Sequence, residues 1–489
     1  SKRDSDYPLS RLVSFPAPLP GNDSESGGSH SPSPRASRKR QKLRNHSLTS
    51  LCLLSHHPFF STFRECLLIL KRLIDACNGN ASPRRVGACR QLSRDSVWSV
   101  LTGRPIEGAS SIVLHDVREI EMWILRLLSA PVPVPGKTRV EVEVLSPHLH
   151  SPFMFCLPDH TRFALVDFPL HLPLELLGVD TCLNVLSLIL LEHKLVIQSK
   201  NYNALSLCVM SFVALIYPLE YMFPVIPLLP SCMACAEQLL LAPTPYVIGI
   251  PENFLMTKRN FQLPDDVWLI NLDSSRNCIT PPSGCREEVP PLPEPECSIL
   301  KNHLNQELSI FFPNLSLVNF FFIFSTRPSL PNIHSQSTNP FLYGNDVDSV
   351  DIATRVAMIR FFNSSNLLGN FMEHTRTLRL YPRPVVALQI NSFLHSRPRI
   401  TQFISKFARS QAVEFLAEWS LTPSNEVFLR VHNGIYDPSQ IGDKAKWFAS
   451  NLECVKFSVW DDASSLGGVL KHMPQQEQPT GKCQFWSFT

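Results

Sequence analysis

Four short apolar segments between residues 161 and 275, each bounded by turn-forming residues, constrain the fold of this chain most strongly. Two apolar stretches of helical length, 181–193 and 202–217, lie among them. Strands that are apolar on both faces and alternate with helices are typical of a mostly parallel sheet covered on both sides. The sequence therefore predicts an α/β domain, with strands at 163–168, 195–198, 246–250 and 267–272.

The rest of the chain divides by composition. Residues 1–49 are polar and rich in Ser, Pro and Gly, so they bury too little apolar surface to fold, and we expect disorder. Their basic run, 38–42, is interpreted as a solvated linker, with a nuclear signal or an anionic-lipid patch as alternatives. The chain starts at Ser1 without a methionine, and we expect a fragment.

Periodicity assigns the elements on either side of the α/β domain. Residues 50–145 should hold a strand ending at His57-Pro58, a helix from Ser61, a helix at 112–128 and a strand at 139–144. A proline-rich linker is predicted at 280–340. Residues 341–460 should be helical, with one helix through Ile352 and Phe362 and another through Ile404 and Phe415, before a tail at 461–489.

Composition also limits the class of protein. The chain carries 45 basic and 42 acidic residues, a net charge of +3 that gives no reason to expect nucleic acid as a partner. Its 14 cysteines are scattered without a framework, which favours a reducing compartment such as the cytoplasm. Residues 203–229 are apolar, but Pro218 and Glu220 interrupt them, so we predict a core helix rather than a membrane span.

Several short motifs resemble phosphate-binding or metal-binding sites but lack residues that such sites require. Gly136-Lys137-Thr138 lacks the earlier glycine of a phosphate-binding loop. Cys232 and Cys235 have zinc-ligand spacing without a second pair nearby, so we interpret them as two buried thiols on one short helix. The acids of 346–351 lack the glycine of a calcium loop and are expected to cap the following helix. No catalytic, metal-binding or cofactor-binding residue is assigned, which favours a binding function.

Several ordered segments then resemble the DENN domain family. A helix ending in Leu-Leu-Glu passes directly into a strand at 190–199, as in the central signature of that family. Further matching segments occur in the family's order at 57–60, 216–221, 226–230 and 242–250, and a subgroup resemblance extends to 168–178, 343–351 and 441–447. Residues 315–324 and the tail from about 475 do not resemble the family.

The resemblance implies three lobes. They are a partial longin-like N-terminal lobe at 50–145, whose first strands are missing, a central three-layer α/β lobe at 146–279 with a mostly parallel sheet, and a helical downstream lobe at 341–460. It implies guanine-nucleotide exchange on a Rab small GTPase of the secretory-vesicle class, bound between the first two lobes in its GDP-bound and nucleotide-free forms. GDP and magnesium would belong to the partner, so no cofactor is expected. A non-catalytic Rab-binding or signalling scaffold is the alternative.

The resemblance carries over no residue with an agreed role. The polar residues inside the apolar signatures, Asp167, Glu192 and Lys194, are predicted to contact the GTPase switch regions. Their alternative role is structural: Asp167 would end a strand, while Glu192 and Lys194 would cap and solvate a helix-to-strand turn. We expect the chain to be cytoplasmic and recruited peripherally to plasma or vesicle membranes.

Overall fold

The computed structural model describes residues 51–80, 97–102, 111–159, 162–233, 235–258, 261–274, 278–283, 290–311, 347–418 and 444–461. They form two units, the first comprising residues up to 157 together with those from 452, and the second comprising residues 158–451. The region predicted to be disordered (1–49), the atypical segment (315–324) and residues 462–489 lie outside the described residues.

The first unit packs three helices on a three-stranded sheet. The helices are α1 (Phe60–Asn80), α2 (Val97–Leu101) and α3 (Ser111–Leu128), and the strands are β1 (Thr138–Glu143), β2 (Phe153–Cys156) and β10 (Glu453–Ser458). The strand order is β10-β1-β2, with β1 parallel to β10 and antiparallel to β2. Val140 and Val142 of β1 are buried in one apolar cluster with α1 and α3, as the alternating pattern predicts. The predicted helix at 112–128 and strand at 139–144 are confirmed.

Two features of the first unit differ from the sequence prediction. The predicted strand before His57 is wrong, because residues 51–59 are irregular and the sheet order does not include them. A strand needs a neighbour for its backbone groups. In addition, β10 lies in a stretch that we expected to be helical, and its pairing with β1 joins residues such as Val140 and Val455 that are far apart in sequence.

The second unit is built on a five-stranded sheet. Its strands are β3 (Lys194–Ser199), β4 (Val225–Ile226), β5 (Tyr246–Pro251), β6 (Val267–Asn271) and β7 (Ile279–Thr280). The order is β4-β5-β3-β6-β7, and every neighbouring pair is parallel except β6 with β7. The mixed α/β class and the mostly parallel sheet are therefore confirmed. The predicted strand at 163–168 is wrong, because these residues are irregular.

Both faces of this sheet are buried. Leu195 and Ile197 of β3 lie in one apolar cluster with α4 (Leu172–Leu177), α5 (Val179–Leu190) and α6 (Tyr202–Leu215). Val196 points into a second cluster with α7 (Glu237–Leu240) and α8 (Phe254–Thr257). Gly249 of β5 lies close to the backbone of Pro227, which directly follows β4, since a Cβ at Gly249 would stand 2.3 Å from the carbonyl oxygen of Pro227.

The remaining elements of the second unit are helices and one hairpin. They are α9 (Glu296–Phe311), α10 (Val347–Phe362), the strands β8 (Thr375–Leu378) and β9 (Val385–Leu388), α11 (Ile390–His395), α12 (Gln402–Phe407) and α13 (Gln411–Glu418), with 3-10 turns at Phe371–His374, Ala445–Trp447 and Ala449–Asn451. Helix α9 begins within the predicted linker. The single helix expected through Ile404 and Phe415 is wrong, because the chain turns between α12 and α13.

The structure also bears on the cysteine pair, on membrane crossing and on metal binding. Cys232 and Cys235 are exposed and precede α7, and Cys235 has a φ of 58°, so the prediction of two buried thiols on a helix is wrong. Among the described helices, none combines the length and apolar character that a membrane crossing requires. Likewise, the described side chains include no cluster of three or more His, Cys, Asp or Glu residues suited to a metal ion.

Candidate functional site

The irregular segment 163–171, here called the central segment, contains the predicted contact residue Asp167. Its first residue, Phe163, is fully buried. The guanidinium carbon of Arg355 on α10 lies 4.3 Å from the centroid of the Phe163 ring and 5.2 Å from that of Tyr217. The same guanidinium donates a hydrogen bond of 3.0 Å to the carbonyl oxygen of Ala164. Helix α10 therefore fixes the start of the central segment through cation–π and hydrogen-bond contacts.

Asp351, also on α10, fixes the other end. Its Oδ1 accepts hydrogen bonds from the backbone amides of Leu170 at 2.9 Å and His171 at 3.0 Å, and it lies 2.7 Å from Nδ1 of His171. The residue is only 1% exposed. We expected this acid to cap the start of α10. That prediction is wrong for Asp351, because it lies inside the helix and its carboxylate serves the central segment instead.

The charge of this cluster is shared among four groups. The Nζ of Lys444 lies 3.3 Å from Oδ2 of Asp351, and Nε2 of His171 lies 3.5 Å from a carboxylate oxygen of Glu175. Burial acts to raise the pKa of Asp351, but the hydrogen bond from His171 and the charge of Lys444 outweigh it and hold the pKa below its ordinary value. Burial likewise opposes protonation of His171, yet Asp351 and Glu175 raise its pKa.

Lys444 also contacts the middle of the central segment. Its ammonium group donates to the carbonyl oxygens of Val166 at 3.0 Å and Phe168 at 3.4 Å. These two carbonyls flank Asp167, which is half-buried. The backbone on both sides of Asp167 is thus held by one lysine, although Asp167 does not end a strand as we predicted.

Glu192 lies in a turn that closes α5. The amide of Glu192 bonds the carbonyl of Ile189 and that of His193 bonds the carbonyl of Leu188, which is the Schellman pattern of a helix end. Glycine usually occupies the left-handed position of this motif, but here Glu192 adopts a φ of 59°. A non-glycine residue held in this region marks a position that the surroundings fix.

The carboxylate of Glu192 caps a distant helix. Its Oε1 accepts hydrogen bonds from the amides of Gln411 at 2.6 Å and Ala412 at 3.3 Å, at the start of α13. These amides have no partner inside the helix, so the carboxylate satisfies them. Burial raises the pKa of Glu192 above its ordinary value, although these two amides oppose the shift.

Lys194 is the first residue of β3, and its side chain forms an ion pair with Asp266. Its ammonium group lies 2.7 Å from a carboxylate oxygen of Asp266, and its side chain is 14% exposed. The side chains of Glu192 and Lys194 are therefore engaged with different elements rather than converging on one point. Any contact that either makes with a partner must compete with these internal bonds.

Sequence reasoning missed the residues that hold the central segment: His171, Asp351, Arg355 and Lys444. A signal for two of them exists, since Asp351 and Arg355 are four residues apart and lie next to the buried apolar residues Ile352 and Val356 of the same helix. Charged groups in such a helix must be paired. The partner on the far side, Lys444, carries no such signal, because 93 residues separate it from Asp351 in the numbering of the chain.

Comparison with known proteins identifies the family of the matched region. Residues 46–275 match the DENN (AEX-3) domain. The chain carries a DENN domain. The matched range includes Asp167, Glu192 and Lys194 but stops before Asp351 and Lys444, so part of the polar cluster around the DENN domain comes from downstream sequence.

Relatives of this DENN-containing chain extend beyond the matched range. It is 62% identical to a MAP kinase-activating death domain protein of Drosophila melanogaster over 94% of the chain and 24% of that relative. It is 56% identical to the protein of that name in Mus musculus over 91% of the chain and 29% of that relative. A DENN domain and WD repeat-containing protein of Arabidopsis thaliana is 26% identical over 73% of the chain. The chain spans about a quarter of the length of these curated relatives.

Proposed function

We propose that this chain binds a Rab small GTPase of the secretory-vesicle class and accelerates the release of its GDP. The DENN domain match over residues 46–275 carries this proposal, and the high identity to MAP kinase-activating death domain proteins supports it. The lobe arrangement implied by the resemblance, with a longin-like lobe, an α/β lobe and a helical downstream lobe, belongs to the same proposal.

Exchange of this kind requires no bond-making chemistry in the chain. The exchange factor must bind the nucleotide-free GTPase more tightly than the nucleotide-bound one. An acceleration of about ten-thousandfold corresponds to about 5.5 kcal/mol of differential binding. A standard interface of about 800 Å² on each partner supplies that energy when it remodels the switch loops. GDP and magnesium are bound by the GTPase in this scheme.

Of the three predicted contact residues, Asp167 is the one whose backbone is best ordered before a partner binds. Its neighbours Val166 and Phe168 are fixed through their carbonyls by Lys444, so its backbone loses little freedom when a partner binds. Glu192 and Lys194 already bond α13 and Asp266, and we expect them to act mainly by positioning these elements. A contact by Glu192 or Lys194 with the switch regions is a weaker part of the proposal.

A release assay tests the function directly. Rab proteins loaded with fluorescent GDP are mixed with the chain and excess GTP, and the rate of fluorescence loss is compared across a Rab panel. We expect acceleration for at least one secretory Rab. The variant Asp167→Asn should reduce that rate by more than any change in its unfolding midpoint accounts for, with the midpoint measured by urea denaturation. Asp180→Asn is the matched control, because Asp180 is a 73% exposed acid on α5 of the same unit.

Two outcomes would contradict this function. If no Rab in the panel releases GDP faster, the exchange proposal is wrong for this chain. If a Rab binds without faster release, the chain is the non-catalytic scaffold, and the phrase MAP kinase-activating in the names of its relatives would then favour a signalling role. We propose a cytoplasmic site of action with peripheral recruitment to a membrane, tested by fractionation of cells that express the chain.

A further inference from the structure

The hairpin β8–β9 of the second unit combines exposed apolar side chains with arginines. Every residue from 376 to 385 is exposed. At the tip, Tyr381 is 99% exposed and Leu380 is 57% exposed. Monomeric proteins expose single apolar side chains commonly, but a projecting tip with both an aromatic and an aliphatic residue marks an interaction surface.

Pairing within the hairpin separates its two faces. Thr377 pairs with Val386, which is 4% exposed and packs into the core of the second unit. Leu378 pairs with Val385 on the opposite face, and these side chains are 44% and 37% exposed. The buried face therefore anchors the hairpin, and the exposed face continues the apolar surface of the tip.

Along the sequence, the charged residues that neighbour this apolar surface are all basic. Arg379 and Arg383 flank the tip, and Arg376 lies beside Leu378 on the exposed face. Between Glu373 and Glu414 the sequence contains seven Lys and Arg residues and no Asp or Glu, although the whole chain has a net charge of only +3. One of the seven, Arg397, is 5% exposed and donates to the backbone carbonyls of Ser365 and Leu367, so it is structural. The others are exposed.

We propose that the β8–β9 hairpin is a docking site for an anionic lipid bilayer, with Leu380 and Tyr381 inserted among the headgroups and the arginines held against lipid phosphates. Tyrosine side chains favour the membrane–water interface because the ring is apolar and the hydroxyl is polar. A cluster of basic residues near the surface is attracted to phosphatidylserine and phosphoinositides. Nucleic acid would also attract the arginines, but it offers nothing to the aliphatic residues of the exposed face.

This inference goes beyond the exchange proposal and stands on other residues. The exchange proposal does not use the hairpin, and exchange on a soluble Rab is measured in the absence of lipid, so failure of one proposal leaves the other intact. Docking through the hairpin would bring the second unit to a membrane surface.

The test is sedimentation of the purified chain with vesicles of equal parts phosphatidylcholine and phosphatidylserine, compared with vesicles of phosphatidylcholine alone. We expect binding to the anionic vesicles only. Each arginine close to the surface contributes about a fivefold gain in partitioning, so Arg379→Gln with Arg383→Gln should weaken binding by about 25-fold. The paired control is Lys200→Gln with Lys301→Gln, since both lysines lie outside the hairpin and their side chains are 68% and 42% exposed.

Apolar insertion is separated from charge by salt. The variant Leu380→Ala with Tyr381→Ala should remove the part of the binding that persists at high ionic strength, because salt screens only the electrostatic part. Tyr381→Trp should retain that part. Met256→Ala is the matched control, as Met256 is 79% exposed on α8. Wild-type binding by the hairpin variants, equal binding to both kinds of vesicle, or no binding to either would each overturn the proposal.

Discussion

Replacing Asp351 by Asn probes the main polar contact of the central segment. In the structure, Oδ1 of Asp351 receives three donors from Leu170 and His171, and Oδ2 faces the ammonium group of Lys444. An Asn side chain keeps one acceptor for the amides but turns an NH₂ group towards Lys444, and the negative charge between His171 and Lys444 disappears. Removing one partner of a buried ion pair costs about 3–5 kcal/mol.

The measurement is hydrogen exchange of the amides in residues 163–171, followed by mass spectrometry. A local loss of about 3 kcal/mol corresponds to exchange that is about a hundredfold faster. Urea denaturation of the same variant should show a lower midpoint for the second unit. A cycle with Lys444→Met should be non-additive by about 1–3 kcal/mol, because the two changes remove the same contact.

Asp348→Asn provides the control, since it makes the same chemical change in the first turn of the same helix. There the carboxylate interacts with the helix dipole, and its loss costs about 0.3–1 kcal/mol. The amides of residues 163–171 should exchange faster in Asp351→Asn than in Asp348→Asn. If they exchange at the same rate in both variants, the carboxylate of Asp351 does not hold the central segment, and this interpretation of the polar cluster is refuted.

Three further results are expected from other positions. The pKa of His171 is raised above 6.5 in the folded chain. The protonated side chain therefore contributes its full stabilisation below pH 6.5, and this contribution is lost as the pH rises through the raised pKa. The urea midpoint of the wild type relative to that of His171→Gln should fall over this pH range. Glu192→Ala should lower the free energy of unfolding by about 1 kcal/mol, because the cap on α13 is lost. Glu192→Gly loses the same cap, but glycine adopts the positive φ of this position without strain, so its free energy of unfolding should stay close to that of the wild type in urea denaturation. Burial raises the pKa of Cys66 to about 12, while Cys232 is exposed, so alkylation near neutral pH with peptide mapping should label Cys232 before Cys66.

The sequence could predict the elements whose signals are local. The parallel strands at 195–198, 246–250 and 267–272 are apolar on both faces, and the helix at 112–128 has regular apolar spacing, so pattern alone identifies them. The apolar run at 163–168 has the composition of a strand but is irregular, because the side chains and carbonyls of this run are bound by Arg355 and Lys444. Tertiary contacts override local propensity at this position.

The candidate residues show the same division between local and distant information. Proximity to a helix-to-strand turn suggested capping for Glu192, and the structure assigns it a cap, but on α13 rather than on its own helix. The pairing of β1 with β10 and the contact of Asp351 with His171 join residues far apart in the chain. Periodicity within a window of residues carries no information about such partners.

The polar cluster gives the exchange proposal a physical link to downstream sequence. Asp167 can present a fixed carboxylate to a GTPase only if the backbone around it is ordered before binding, because ordering it during binding would consume part of the binding free energy. Arg355, Asp351 and Lys444 supply that order from outside the matched DENN range. A chain that ends after the DENN match would therefore retain Asp167 and lose its supports. We expect such a truncated chain to bind its GTPase more weakly than Asp167→Asn in the full chain does, and equal affinities would contradict this dependence.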